Sequence, residues 1–157
     1  MLLRQVNNFS IFNSQFSIQL YMNVFFSEPI TPERAVALNP LALAFVGDGV
    51  CTLYVRARLV AASDKKAGAL HEIAKKYVSA YGQAAAFDRI WDALSGEEQD
   101  LCRRARNTHN ATRAKNTDLE TYKKATALEA LVGYYYLIGN EGRLAQILSE
   151  VEKRIEN

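Results

Sequence analysis

Residues 41–59, LALAFVGDGVCTLYVRARL, decide the fold. Apolar side chains recur there at intervals of three and four, which predicts a helix apolar on almost every side. Leu41, Phe45, Thr52, Val55 and Leu59 define one buried face, and Leu43, Val46, Val50, Leu53 and Val60 a second. Asp48 falls on the first face, between Phe45 and Thr52. An unpaired carboxylate in such surroundings costs on the order of several kcal/mol, or stays protonated. The reading therefore calls for a cation beside it, from the protein or from a metal ion. Gly47 and Gly49 flank Asp48, and each costs a helix about 1 kcal/mol relative to alanine. Their presence points to close backbone packing or to the approach of a ligand.

The stretch 127–138, ALEALVGYYYLI, shares this peculiarity, with Glu129 its one charged residue. Leu128, Leu131, Tyr135 and Ile138 lie at helical spacing, and Gly133 sits one turn beyond Glu129. Two acids, each alone in an apolar helix and distant in the chain, form a candidate divalent-metal site if folding unites them. The competing reading answers each acid with a nearby cation, such as Arg56 or Lys124.

The rest of the chain supplies further helices and no convincing strand, so the expected fold is all-α with five or six helices. Thr31-Pro32, Asn39-Pro40, Ser95 with Glu97 and Glu98, Asp118 and Asn140 are helix-start signals. Residues 66–94 carry a core stripe of Leu70, Ile73, Tyr77, Ala80, Ala84, Phe87, Trp91 and Leu94, as one helix or two broken near Gly82. Leu144, Ile147, Leu148, Val151 and Ile155 mark the apolar stripe of a last helix. His71 has no second ligand at metal-binding spacing and reads as an ordinary histidine.

The 157 residues suffice for one domain with a sizeable core. An apolar content of 49% with 23% charged residues is ordinary for a soluble globular protein. Cys51 and Cys102 lack ligand spacing and read as free thiols of a reducing cytosol. No uninterrupted apolar run reaches membrane-spanning length. Residues 1–30 hold no period and show no signal-peptide organisation. They are expected to be a disordered or loosely docked extension, or partly a mis-called start preceding Met22. Residues 31–157 form the expected domain.

Charge is unevenly spread. Residues 101–117 hold five cations, Arg103, Arg104, Arg106, Arg113 and Lys115, and no acid. Short hydrogen-bonding residues, including Asn107 and Asn116, fill the intervals. Such a segment suits phosphate oxygens, with cations neutralising them and amides fixing register. Arginines ending a helix also suit its dipole, which is their purely structural role.

With both acid-bearing helices and the basic segment read, the chain resembles the ribonuclease III family. LALAFVGDGVCTLYVR is similar to the family's signature helix. RRARNTHNATRAKNTDLETYKKATALEALVGYYYL resembles the second signature of the compact branch, Mini-ribonuclease III, which consists of the catalytic domain alone. The resemblance spans roughly residues 38–150. It implies a Mg²⁺-dependent endoribonuclease that cleaves double-stranded RNA as a homodimer and leaves 5′-phosphate and 3′-hydroxyl ends. Asp48 and Glu129 match the metal-binding acids, and Arg103, Arg104, Arg106, Asn107, Arg113, Lys115 and Asn116 would form the RNA-binding segment. Two further acids of full-length ribonuclease III fall at Ala44 and Thr126, and the compact branch likewise lacks them. Gly49, Thr52 and Ala114 depart from that branch's usual alanine, acid and proline. The implied substrate is precursor 23S ribosomal RNA, presented by a ribosomal protein in the cytoplasm. A non-catalytic RNA-binding scaffold with the same fold is the competing function.

Overall fold

In the computed structural model, which describes residues 28–108 and 117–153, the chain is all-α. Seven α-helices are present among the described residues: α1 Pro32–Ala37, α2 Pro40–Ala62, α3 Ala67–Val78, α4 Ala80–Ile90, α5 Gly96–Asn107, α6 Leu119–Leu137 and α7 Glu141–Glu152. A single 3-10 turn, Trp91–Ala93, follows α4.

The helix starts are where local chemistry puts them. Thr31 Oγ1 accepts from the Arg34 amide (3.3 Å), Asn39 Oδ1 from Leu41 (2.9 Å), Asp118 Oδ1 from Thr121 (2.9 Å) and Asn140 Oδ1 from Arg143 (3.1 Å). At α5 the capping is reciprocal. Ser95 Oγ accepts from the Glu98 amide, and Glu98 Oε2 accepts from the Ser95 amide at 2.7 Å. Gly139, with φ of 70°, ends α6 in the left-handed conformation that a side chain disfavours.

The count exceeds the expected five or six because residues 32–37 form their own short helix and the 66–94 stripe breaks. The break is at Ser79, not near Gly82. Ser79 is extended, ends α3 and caps α4 by accepting from the Gly82 amide at 3.3 Å. Gly82 instead permits the tight turn: a Cβ there would lie 2.3 Å from the Lys76 carbonyl oxygen.

The central helix is α6, packed against α1, α2, α4, α5 and α7. Its residues Ala125 to Leu128 and Ala130 to Gly133 are all buried. The expected pair of buried faces on α2 needs correction. One seam is buried, made of Leu43, Ala44, Gly47, Cys51, Val55 and Leu59. Phe45 is 85% exposed, Leu53 68% and Val60 63%. By length and composition α2 is also long and apolar enough to cross a membrane, although charged residues interrupt it and no unbroken run is. It is instead the helix whose inner seam joins α6 in the core.

Glu28–Ile30 precede α1, and the Ile30 amide donates to the Leu137 carbonyl at 2.9 Å. The expectations for residues 1–27, and for Ile155, lie outside the described residues.

Candidate functional site

The crossing of α2 and α6 is set by two glycines. A Cβ on Gly47 would lie 1.8 Å from the carbonyl oxygen of Glu129, and one on Gly133 would lie 2.0 Å from that of Leu43. No side chain fits at either place, so the two backbones touch. Gly49 has nothing within 4 Å of its Cβ position, so close packing explains Gly47 and Gly133 but not Gly49.

This contact brings Asp48 and Glu129 together at one edge of the crossing. Asp48 is exposed, so the cost of burial expected for it does not arise. The reason is that the buried seam runs through Gly47 and Cys51 and turns Asp48 outward. Glu129 is mostly buried, and the cost of an unpaired carboxylate falls on it in full. Burial and the charge of Asp48 push its pKa up to about 8, against a downward pull from the Gln83 amide. Neither Arg56 nor Lys124 answers the pair. Lys124 bonds to Asp88 at 2.9 Å, and no ion pair to Asp48 or Glu129 occurs among the described residues.

Cys51 lies beneath the two acids. Burial and the charges of Glu129 and then Asp48 raise its thiol far above the ordinary range, which leaves it inert. Cys102 is likewise free and buried, with its pKa pushed up to about 12, chiefly by burial. At the two positions where the resemblance implies further acids in full-length ribonuclease III, Ala44 is buried and Thr126 donates its hydroxyl to the Tyr122 carbonyl at 3.0 Å.

The donor set is thus two carboxylates, with no group of three or more His, Cys, Asp or Glu among the described residues. Oxygen donors and an uncompensated pair of acids fit a hard divalent cation that keeps most of its water. A softer metal would want nitrogen or sulfur.

The basic segment divides. Arg103 is held by Asp100, donates to Gln99 Oε1 at 3.0 Å and lies 5.7 Å from the Trp91 ring centroid. Arg104 donates to the carbonyls of Val36 (2.8 Å) and Leu38 (3.4 Å), closing the C-terminal end of α1. Arg106 pairs with Glu120 and so ties α5 to the start of α6. All three therefore carry structural contacts, while Asn107 is exposed at the end of α5. Arg113, Lys115 and Asn116 lie outside the described residues. His71 is exposed on α3.

Two features escaped the sequence reading. Glu98 accepts from Arg143 Nε (2.7 Å), Arg143 Nη2 (2.9 Å) and Tyr135 Oη (2.6 Å). Burial raises its pKa, but these bonds and the Ser95 amide prevail and hold it at about 2. The second is Gln83, 2% exposed on α4 and turned toward Glu129. A lone amide between alanines of a core stripe was its signal.

Residues 41–140 match the model of the Ribonuclease III domain. The chain is 44% identical over 122 residues to a Mini-ribonuclease 3 of Thermoanaerobacter sp., covering 78% of this chain and 86% of that protein. It is 42% identical over 116 residues to a Mini-ribonuclease 3 of Staphylococcus aureus, covering 73% and 87%. A crystal structure of a Fusobacterium nucleatum protein superposes with a TM-score of 0.68 at 29% identity, covering 76% of this chain and 95% of that one. On motif, fold and relatives alike, this chain belongs to the ribonuclease III family, within its compact Mini-ribonuclease III branch.

Proposed function

We propose that this endoribonuclease cleaves double-stranded RNA with Mg²⁺ held by Asp48 and Glu129, maturing the ends of precursor 23S ribosomal RNA. The observation that carries the reading is the meeting of two carboxylates from α2 and α6 with no cation among the described residues paired to them. The cation, when bound, supplies Lewis-acid activation of water and neutralises charge on the scissile phosphate.

The chain's own groups do the rest. Glu129, deprotonated in the working state, and exposed Asp48 present oxygens from two helices whose separation the Gly47–Gly133 contact fixes. Their small number leaves room for water and phosphate oxygens. Arg113, Lys115, Asn116 and exposed Asn107 grip the duplex backbone, which is recognised by shape and 2′-hydroxyls rather than by sequence. Arg103, Arg104 and Arg106 add positive potential near it. One site cuts one strand, so a two-fold dimer suits a duplex. The exposed Phe45, Leu53 and Val60 on α2 offer its apolar surface. A ribosomal protein presenting the substrate and a cytoplasmic setting complete the proposal.

The test is cleavage of duplex RNA with Mg²⁺ by the wild type, Asp48→Asn and Glu129→Gln. Both variants should still bind RNA but cut slower by roughly a hundredfold or more. Equal cutting by all three would remove the two acids from the site. Binding without cutting, even by the wild type, would favour a non-catalytic scaffold.

A further inference from the structure

Gln83 is the polar side chain that the fold leaves unexplained. It is 2% exposed on α4, a helix that packs against α6. Its amide comes close enough to draw down the Glu129 pKa, yet Nε2 completes no hydrogen bond of standard geometry to any described protein atom. A buried amide left in this condition destabilises the fold. Leucine or methionine would fill the same space without that cost. A polar residue kept at such expense, facing an acid that no described residue pairs with a cation, points to work done only when a ligand is present.

We propose that Gln83 is a positioning residue for Glu129: its buried amide holds one carboxylate oxygen and presents the other, beside Asp48, to a divalent cation. The inference rests on the reading of Glu129 as a metal ligand. Glu129 projects from a helix and its carboxyl can rotate about its terminal bond. A donor that engages one oxygen as the cation binds fixes that rotation, and groups that orient ligands this way strengthen binding.

The experiment compares wild type, Gln83→Met, Gln83→Leu and Glu129→Gln, each without RNA, by calorimetric titration with Mn²⁺ and by thermal melting of the metal-free protein. Cleavage is then measured against RNA concentration at limiting and at saturating metal. The Gln83 variants should bind Mn²⁺ roughly tenfold more weakly, with metal-free melting temperatures unchanged or higher. Their kcat should fall at limiting metal while the KM for RNA stays constant. Wild-type Mn²⁺ affinity in both Gln83 variants, with affinity lost in Glu129→Gln, would overturn the role of Gln83 alone. Wild-type affinity in Glu129→Gln would overturn the metal reading beneath it. Failure of both Gln83 variants to fold would show that the amide serves the core, and would also overturn the proposal.

Discussion

Gly47 and Gly133 clasp α2 to α6, each lying against the backbone of the opposite helix. The positions at which a Cβ would sit are 1.8 Å from Glu129 O and 2.0 Å from Leu43 O, distances no side chain can occupy. Because Asp48 follows Gly47 directly and Glu129 is one turn before Gly133, this contact also sets the spacing of the two acids.

Alanine at either glycine must therefore push the helices apart. Gly47→Ala and Gly133→Ala should each cost about 1–3 kcal/mol or more in urea denaturation and should weaken divalent-metal binding. Gly49→Ala is the control. With open space at its Cβ position, it should gain about 1 kcal/mol through helix propensity, and a loss of stability there would contradict the geometry.

Glu129 makes metal-free stability depend on pH. Its pKa is raised by burial and by Asp48 to about 8, whereas in the unfolded chain it is that of an ordinary carboxyl. The folded state thus binds the extra proton, and its contribution is full at acid pH. It is lost as pH rises toward 8, at up to about 1.4 kcal/mol per pH unit. Urea titrations of wild type and Glu129→Gln from pH 5 to 8 should show the slope in the first and not in the second.

The same proton must leave when a cation binds. Near pH 7, calorimetric titration with Mg²⁺ or Mn²⁺ in buffers of different ionisation enthalpy should report release of up to one proton per site. Release should vanish in Glu129→Gln and diminish above pH 8.

Glu98 acts at the opposite end of the pH scale. Its bonds to Arg143 and Tyr135 overcome the effect of burial and hold its pKa at about 2. A depressed carboxyl stabilises above its unfolded pKa and loses that contribution as pH falls from there to about 2. Glu98→Gln should cost about 2–3 kcal/mol at neutral pH and make the acid limb of the denaturation curve shallower. An unaltered acid limb would show that the cluster adds little.

The outer face of α2 should mediate self-association. Phe45→Glu and Leu53→Lys place charges on its exposed apolar residues without touching the inner seam. Analytical ultracentrifugation should show a dimer for the wild type and monomers for both variants, at nearly unchanged monomer stability. A wild-type monomer at tens of micromolar would end this expectation.

Much of this molecule is legible locally. Thr31, Asn39, Ser95, Asp118 and Asn140 all cap helices as their chemistry dictates, because a cap needs only its own first turn. The two acids, conspicuous as lone charges in apolar helices, lie close enough for the charge of Asp48 to raise the pKa of Glu129. The glycines beside them were conspicuous too, and two have backbone contacts as their reason. What covers an apolar residue is not local. Periodicity placed Phe45 and Leu53 on buried faces, yet α6 covers only the seam through Leu43, Gly47 and Cys51. The arginines of α5 were legible as charge, but their bonds to Val36, Leu38 and Glu120 depend on neighbours elsewhere in the chain.

The chain's letters alone specified an all-helical fold, where its helices begin, and which two acids stand alone in apolar helices. Those properties follow from hydrogen bonding and side-chain spacing within a few turns. Only the tertiary structure decided that Asp48 lies open while Glu129 is sheltered, that the chain turns at Ser79, and that Gln83 reaches Glu129. Each of these depends on which surfaces meet, and two backbones can meet only where glycine leaves them room.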